Sequence, residues 1–241
     1  MSGHSKWAQI HRQKGVADQK RGMIFTKLGR AITIAAREGG GDPDSNFKLR
    51  LAIDRAKQAN MPKDNIERAI KHGTGEGSEE TIKEVTYEAF SPEGVALIIK
   101  VLTDNKNRAL SNVKNIMNKL GGKMAGANSV AWMFEQKGVI RIVNIESGIS
   151  NLEKFQLDLI EIGAQDFERE DGDLVIYTSI DDLQKVKEDL EKQTIKVDCA
   201  EVEFVPKKDN LAKVSDKEKV GRLVEALEDD EDVEAVFTNM R

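Results

Sequence analysis

Apolar residues recur at helical spacing in three consecutive segments near the start of the chain. The first predicts a helix from about Asp18 to the glycines at 39–41. The second follows Asp42-Pro43-Asp44 and runs to about Asn60. The third is bounded by Pro62 just inside its start and Gly73 just past its end, the usual asymmetry of helix ends. Three helices with short connections predict a small helical domain, and the composition of residues 73–78 predicts a linker after it.

The pattern then changes to alternating and continuous apolar runs, which predict strands. Residues 85–90 and 95–102 form two strands around the turn at 91–94, and residues 107–120 form a helix that ends at Gly121-Gly122. Two strands and one helix are half of an α+β sandwich, so this set needs further strands to cover its sheet. The tail supplies a helix at 216–227 and a strand at 233–237.

A second set of elements lies between these two parts and can close by itself as ββαββαβ. Its first hairpin is expected to join 130–134 and 139–143 around Gln136-Lys137-Gly138. Its second hairpin turns at Asp171-Gly172, a favoured tight-turn dipeptide. The remaining elements are helices at 152–162 and 180–193, the latter capped by Ser179 or Asp181, and a strand at 197–205.

These elements predict an α+β protein of three domains: an N-terminal three-helix domain and two ferredoxin-like α/β domains, one inserted in the other. The expected boundaries are 1–78 for the basic arm and helical domain, 79–129 plus 206–241 for the discontinuous domain, and 130–205 for the inserted domain. A continuous arrangement of three separate domains is the alternative.

Charge is distributed unevenly along this chain. Residues 1–72 carry 15 Lys and Arg against 7 Asp and Glu, a formal net charge of +8, which leaves −13 for the rest of a chain whose total is −5. A basic head on an acidic body indicates a polyanionic partner, whereas the pI near 5.5 alone would not. We expect nucleic acid as the partner.

Several classes of function are excluded or disfavoured by composition. The single cysteine, Cys199, rules out an intrachain disulfide and a cysteine-rich zinc site, and favours a reducing cytoplasmic setting. The apolar runs are too short to span a bilayer, so no membrane partner is expected. No glycine-rich stretch ends in the Gly-Lys-Ser/Thr of a phosphate-binding loop. We therefore expect no enzymatic activity, no cofactor, no metal and no small-molecule substrate.

The basic arm at residues 3–14 is the strongest candidate for a binding site. It has no apolar periodicity, so it cannot bury itself as a regular element, and a polyanion could offset the entropy lost on ordering it. In the helix that follows, Lys20, Lys27, Arg30 and Arg37 fall on one arc beside the apolar face, as either a binding stripe or a solvated flank. The predicted nucleic-acid-binding residues are Lys6, Trp7, His11, Arg12, Lys14, Lys20, Arg21, Lys27 and Arg30.

Other chemistry-bearing residues have simpler interpretations. Trp7 suits stacking on a base as well as it suits stapling the arm to the first helix. Trp132 and Phe134 alternate onto one face of an expected strand, which favours core positions for both. Cys199 lies in a strand pattern and is expected to be a small core residue. Zinc bound by His4 and His11, and metal held by the carboxylates at 166–173, are weaker alternatives. The acids at 229–232 are expected to form a solvated turn.

Motifs along the whole chain resemble those of the YebC/PmpR family, which includes bacterial probable transcriptional regulators and the mitochondrial translational activator of cytochrome oxidase. The matching stretches are Gly3-His4-Ser5-Lys6-Trp7, Asp18, Lys20-Arg21-Gly22, Ile24-Phe25-Thr26-Lys27-Leu28, Ala35-Ala36-Arg37, Glu67-Arg68-Ala69-Ile70, Tyr87-Glu88, Thr103-Asp104-Asn105, Asn107-Arg108, Asn128-Ser129-Val130-Ala131-Trp132, Phe134 and Lys137-Gly138-Val139-Ile140. The resemblance implies three domains around a cleft. Gln13 and Met23 depart from positions where the family commonly carries cations.

The resemblance implies two functions, which the residues alone do not separate. The first is a DNA-binding transcriptional regulator. The second is a translation factor that binds ribosomal RNA on the ribosome. A third hypothesis, an enzyme that uses carboxylates such as Asp166 and Asp171 to hold a metal, follows from the acids rather than from the resemblance. The sequence predicts neither an oligomeric state nor a recognition helix for a DNA groove.

Overall fold

The computed structural model describes residues 18–75, 82–143, 152–170 and 172–241. Within these ranges the chain forms seven α-helices and eight β-strands, divided between two compact units. The first unit contains the described residues up to Phe134 together with Pro206–Arg241, and the second is Glu135–Val205.

Three helices open the first unit, and their mutual packing makes a small apolar core. They are α1 (Asp18–Gly39), α2 (Phe47–Gln58) and α3 (Lys63–Gly73). Leu28, Ile32, Leu49 and Ile66 are buried at the centre of this core. Asn46 joins two helix ends, since its Oδ1 accepts from Leu49 N at 3.0 Å while its Nδ2 donates to the carbonyls of Ala35 and Gly40. One side chain therefore caps the start of α2 and the end of α1.

The sheet of the first unit has the strand order β3–β1–β2–β8. Its strands are β1 (Lys83–Phe90), β2 (Ala96–Thr103), β3 (Lys123–Met124) and β8 (Val233–Thr238). Helices α4 (Lys106–Lys119) and α7 (Lys217–Glu228) pack on one face through residues such as Val113, Met117 and Leu223. Helix α1 also packs against β2, which is why β2 is apolar on both faces and nearly all buried.

The second unit interrupts the first. The chain leaves the first unit after Phe134 and returns at Pro206, and Lys207 N donates to the carbonyl of Met133 at 2.9 Å. The elements of the second unit are β4 (Phe134–Ile142), α5 (Leu152–Ile162), β5 (Ala164–Glu170), β6 (Asp173–Thr178), α6 (Leu183–Lys192) and β7 (Cys199–Pro206). The sheet order β5–β6–β4–β7 with the chain order βαββαβ is the ferredoxin-like topology.

The predicted α+β class, with three N-terminal helices and one α/β domain inserted in another, is confirmed. The second hairpin is also confirmed, because Glu170 pairs with Asp173 and Gly172 has a φ of 90°. The first hairpin is wrong: residues 131–133 form a 3₁₀ turn, and Phe134–Ile142 is one continuous strand through Gly138. The short strand β3, which pairs with the end of β1, was not predicted.

Candidate nucleic-acid interface

The basic arm lies outside the described residues. The arm contains five of the predicted nucleic-acid-binding residues: Lys6, Trp7, His11, Arg12 and Lys14. It also contains His4, a candidate zinc ligand, and Gln13, which departs from the family pattern. Lys20 is in the first turn of α1, and Arg21 follows it with an exposed side chain. The first described cationic side chain of α1, that of Arg21, is therefore exposed to solvent.

Lys27 and Arg30 have a different environment from the one that the helical arc predicted. Lys27 is only 5% exposed, and its Nζ donates to the carbonyl of Glu228 at the end of α7. Arg30 Nη1 donates to Asp232 Oδ1 and to the carbonyl of Glu231, both at 2.7 Å. Their assignment as nucleic-acid contacts is therefore corrected: both hold α1 against the segment between α7 and β8. Arg37 is engaged similarly, by the carbonyl of Ile82.

Asp232 is the centre of this contact. Its side chain is fully buried, and it accepts from Arg30 on α1 and from Arg108 on α4. Arg108 donates through Nε at 3.2 Å and through Nη2 at 3.0 and 3.1 Å, while the same Nη2 reaches Asp104 at 2.6 Å. The hydrogen bonds from Arg108 to Asp232, and then those to Asp104, raise the pKa of the Arg108 guanidinium above its usual range. The expected solvated turn at 229–232 is thus wrong at Asp232.

Further ionic contacts fix the helices to the same sheet. Arg55 of α2 pairs with Glu234 of β8 at 3.1 Å, and both side chains are largely buried. The desolvated carboxylates of β8 and of the turn before it therefore lie opposite cations from α1, α2 and α4. This arrangement explains why several basic residues of the head contribute to its attachment rather than to its outer surface.

The exposed cations of the described helical region are interspersed with acids. Arg68 and Lys71 are exposed on α3, three residues apart, and Lys57 is exposed at the end of α2. Asp64 and Glu67 are exposed on α3 as well, and Glu67 pairs with Lys63 at 3.3 Å. Helices α2 and α3 are therefore not uniformly positive, whereas residues 6–21 carry five Lys and Arg against one Asp, which is +4 of the head's +8.

A second feature of the first unit is a carboxylate that binds successive backbone amides. The Oε atoms of Glu88 on β1 accept from Asn128 N and Val130 N, both at 2.6 Å, and from Ala131 N at 3.0 Å. Partial burial alone would raise the pKa of Glu88, but the amide hydrogen bonds outweigh it and hold the pKa below its usual value. These bonds fix the loop that carries the 3₁₀ turn at 131–133.

Trp132 lies on that turn and is 56% exposed. Its Nε1 donates to the carbonyl of Ser129 at 3.0 Å, so the polar edge of the indole is held by its own loop. The prediction that Trp132 is a core residue is wrong, whereas the same prediction for Phe134, which is 5% exposed, is confirmed. No sequence signal distinguished them, because their alternation is equally typical of one strand face.

Two polar contacts of the second unit lie within its sheet. Arg141 forms a buried pair with Glu203, with Nη2 and Oε2 2.9 Å apart. Cys199 is buried, as predicted, and its thiol lies 3.4 Å from Glu201 Oε1. Over the described part of the chain, no group of three or more His, Cys, Asp or Glu side chains is arranged to hold a metal. In the same ranges, no helix has the length and apolarity needed to cross a bilayer.

These features define a class: a multidomain α+β protein in which a helical layer is tied by ion pairs to a four-stranded sheet and a ferredoxin-like unit is inserted in that sheet's domain. Two family models match the chain, the TACO1/YebC protein N-terminal domain over residues 5–76 and the TACO1/YebC second and third domain over residues 82–240. The chain belongs to the TACO1/YebC family.

Individual relatives agree with this assignment. A protein of Fervidobacterium nodosum named "Probable transcriptional regulatory protein" is 48% identical over 99% of this chain and 93% of its own length. A protein of the same name from Moorella thermoacetica is 47% identical over 99% of this chain and 95% of its own. The crystal structure of a conserved hypothetical protein from Aquifex aeolicus matches with a TM-score of 0.86 at 40% identity, covering 98% of this chain and 96% of that one.

Proposed function

We propose that this protein is a nucleic-acid-binding regulator of gene expression that acts in the cytoplasm without catalysis, and that DNA is its first candidate target. The observation that carries the proposal is the concentration of positive charge in the N-terminal head, +8 over residues 1–72 against −13 elsewhere. The relatives' name, "Probable transcriptional regulatory protein", supports transcription as the process.

The proposed phosphate contacts are the cations that precede the anchored part of α1. They are Lys6, Arg12, Lys14, Lys20 and Arg21. Lys27 and Arg30 leave this set because they bind the segment at 228–232. Their contacts anchor α1, so the helix that follows the arm in the sequence is fixed to the sheet. Phosphate contacts of this kind give affinity and salt dependence, but they do not select a base sequence.

A ribosome-associated translation factor is the second candidate. The exposed indole of Trp132 favours it, because folded RNA presents unpaired bases on which an aromatic ring can stack. In this case the arm would contact ribosomal RNA phosphates through the same five cations. The two candidates therefore share the arm and differ in the kind of nucleic acid that it meets.

Crosslinking in cells, followed by sequencing of both the DNA and the RNA attached to the protein, tests the proposal. We expect recovery from the wild-type protein and strongly reduced recovery from a Lys6→Ala, Lys20→Ala, Arg21→Ala variant. Enrichment of promoter DNA supports the first candidate, and enrichment of ribosomal RNA supports the second. Recovery that is at background level for both nucleic acids, with the protein expressed and folded, contradicts the proposal.

A further inference from the structure

Trp132 is a large aromatic side chain that the fold presents to solvent on a fixed support. It is 56% exposed, although the preceding Val130 is fully buried and Phe134 is nearly so. The turn that carries it is fixed from two sides: Glu88 binds the amides of Val130 and Ala131, and Lys207 N donates to the carbonyl of Met133 at 2.9 Å. An exposed ring on such a support loses little conformational entropy when a flat partner stacks on it.

The indole nitrogen is already used within the loop. Because Nε1 donates to Ser129 O at 3.0 Å, the ring offers its face rather than a hydrogen bond. A partner that recognises this side chain must therefore have a flat surface of its own. Bases of nucleic acids have such a surface, and stacking tolerates every base because all have a π face.

The charges beside Trp132 favour a nucleic acid over a neutral flat ligand. Lys207 and Lys208 are exposed directly after the backbone bond to Met133, and Lys123 is exposed on β3, which pairs with the end of β1. Two exposed acids oppose these cations: Asp209 lies on the same 3₁₀ turn as Lys208, and Glu135 follows Trp132 by three residues. Glu88 is nearby as well, and its ionised carboxylate accepts hydrogen bonds from three backbone amides of the loop. Cations next to an exposed aromatic ring are the combination that single-stranded nucleic acids bind.

We propose that Trp132 is a stacking platform for an unpaired base of RNA, with Lys123, Lys207 and Lys208 placed to meet the adjoining phosphates. Folded RNA displays unpaired bases in loops, whereas duplex DNA must first unpair and unstack a base, which is unfavourable. The inference deepens the proposed nucleic-acid binding and rests on it. It adds a base contact to the phosphate contacts proposed for Lys6, Arg12, Lys14, Lys20 and Arg21.

The test is the affinity of the full chain for a labelled, unstructured single-stranded RNA, measured by fluorescence anisotropy. We expect Trp132→Ala to weaken binding about 5- to 100-fold, the effect of losing one stacked base. The slope of log K against log salt should stay unchanged, since no cation is removed. Trp132→Phe should retain most of the affinity. Leu157→Ala removes another exposed apolar side chain, on α5, and should bind as the wild type does.

Duplex DNA and single-stranded DNA complete the experiment. The affinity for duplex DNA should be the same for Trp132→Ala and the wild type. An equal loss of affinity for single-stranded DNA and for RNA supports the platform, because base stacking does not depend on whether the sugar is ribose or deoxyribose. The platform is overturned if Trp132→Ala binds RNA as tightly as the wild type, or if duplex affinity falls by the same factor. Trp132→Leu, which keeps an apolar side chain without a flat aromatic face, makes this decision if Trp132→Ala fails to fold: it should weaken RNA binding as well, and wild-type affinity would overturn the platform.

A second variant distinguishes an error in the proposed role of the basic residues from an error in the proposed role of Trp132. A variant with Lys6, Arg12, Lys14, Lys20 and Arg21 replaced by Ala should lose the salt dependence that these cations provide. If that variant binds RNA as the wild type does while Trp132→Ala does not, the proposed role of the arm fails and the platform stands. If the wild-type protein binds no nucleic acid at all, both proposals are overturned.

Discussion

Asp232 illustrates at the scale of one residue how the fold uses its charges. A carboxylate with no exposed side-chain surface is unfavourable unless it is paired, and here two guanidinium groups from different helices pair with it. The surrounding acids were expected to be solvated because a run of four acidic residues is usually a surface feature. The buried member of that run is identified only by its partners, which lie 124 and 202 residues away along the chain.

Asp232→Asn should destabilise the protein by about 3 kcal/mol, since it leaves Arg30 and Arg108 without their shared counter-charge in a desolvated site. Chemical denaturation of the purified variant and the wild type measures the difference in the free energy of unfolding. Glu67→Gln is the matched control. It breaks an exposed pair with Lys63, so its effect should stay within about 0.5 kcal/mol. Equal effects from the two variants would mean that the Asp232 contact contributes no more than a surface ion pair.

Glu88 gives a prediction about pH. Its pKa is lower in the folded protein than its usual value because backbone amides bind the ionised form. Its contribution to stability is therefore complete above the unfolded pKa, near 4.5, and is lost as pH falls through the lower folded pKa. Glu88→Gln should cost about 1–2 kcal/mol at neutral pH, because the neutral amide replaces a charged acceptor.

The loss from Glu88→Gln should shrink as the pH is lowered below the unfolded pKa, near 4.5, and through the lower folded pKa, since the wild-type carboxylate becomes protonated there. Urea denaturation of both proteins at several pH values measures the difference, and Glu67→Gln is again the control at an exposed site. A difference between wild type and Glu88→Gln that stays constant or grows on acidification would contradict the assignment of this carboxylate as an ionised amide acceptor.

The environment of a side chain was predicted correctly from the sequence where it depends only on the helix or strand that carries the residue. The helical period of the apolar residues in α1 was predicted correctly, because such a period is a local property of the sequence. Lys27 and Arg30 were placed beside that face, also correctly, but their partners were not identifiable. Those partners belong to the segment at 228–232, and helical periodicity carries no information about which distant segment covers a cation.

At the scale of elements, the packing of α3 on α1 depends on a close approach at Gly73. A Cβ at this position would overlap the carbonyl oxygen of Thr33 and the Cβ of Ala36. Thr33 Oγ1 also donates to the carbonyl of Ala69 at 3.0 Å, so the two helices are joined by a hydrogen bond near the same point. The glycine that sequence analysis assigned only to the helix end therefore also permits helix contact.

Gly73→Ala should destabilise the protein by roughly 1–3 kcal/mol, because backbone must shift to make room for the methyl group. The thermal midpoint and the free energy of unfolding measure this effect. Gly221→Ala on α7 is the matched control: nothing lies within 4 Å of its Cβ position, so the change should be neutral or stabilising by up to about 1 kcal/mol. A stabilising effect of Gly73→Ala would show that α1 and α3 do not need this close contact.

The segment at 130–138 shows where prediction of elements failed. Val130, Trp132 and Phe134 alternate as a strand does, and Gln136-Lys137-Gly138 resembles a hairpin turn. The chain instead forms a turn at 131–133, because Glu88 of β1 satisfies its backbone amides, and then a single strand. Alternation is local, whereas the carboxylate that decides this loop comes from 42 residues earlier. The same distant contact exposes Trp132.

At the scale of the whole molecule, the order of elements predicted the insertion of one α/β domain in another. Neither α4 with β1 and β2 nor the C-terminal α7 with β8 could complete a sheet alone, and they meet in one sheet. The charge asymmetry was also available from the sequence. The sequence did not show which cations of the head anchor it and which face outward, because this depends on ion pairs such as Arg55–Glu234 that form only in the folded chain.

The salt dependence of nucleic-acid binding tests the central claim, that the basic arm neutralises phosphates. With about five contacts, log K for duplex DNA should fall with log salt at a slope near −4 to −5. Replacing Lys6, Arg12, Lys14, Lys20 and Arg21 by Ala should bring that slope close to zero. The control removes five exposed lysines from the acidic remainder of the chain: Lys114, Lys119, Lys185, Lys213 and Lys217. This control variant should keep the wild-type slope. A slope near zero for the wild type would contradict the claim, and so would an unchanged slope for the variant that lacks Lys6, Arg12, Lys14, Lys20 and Arg21.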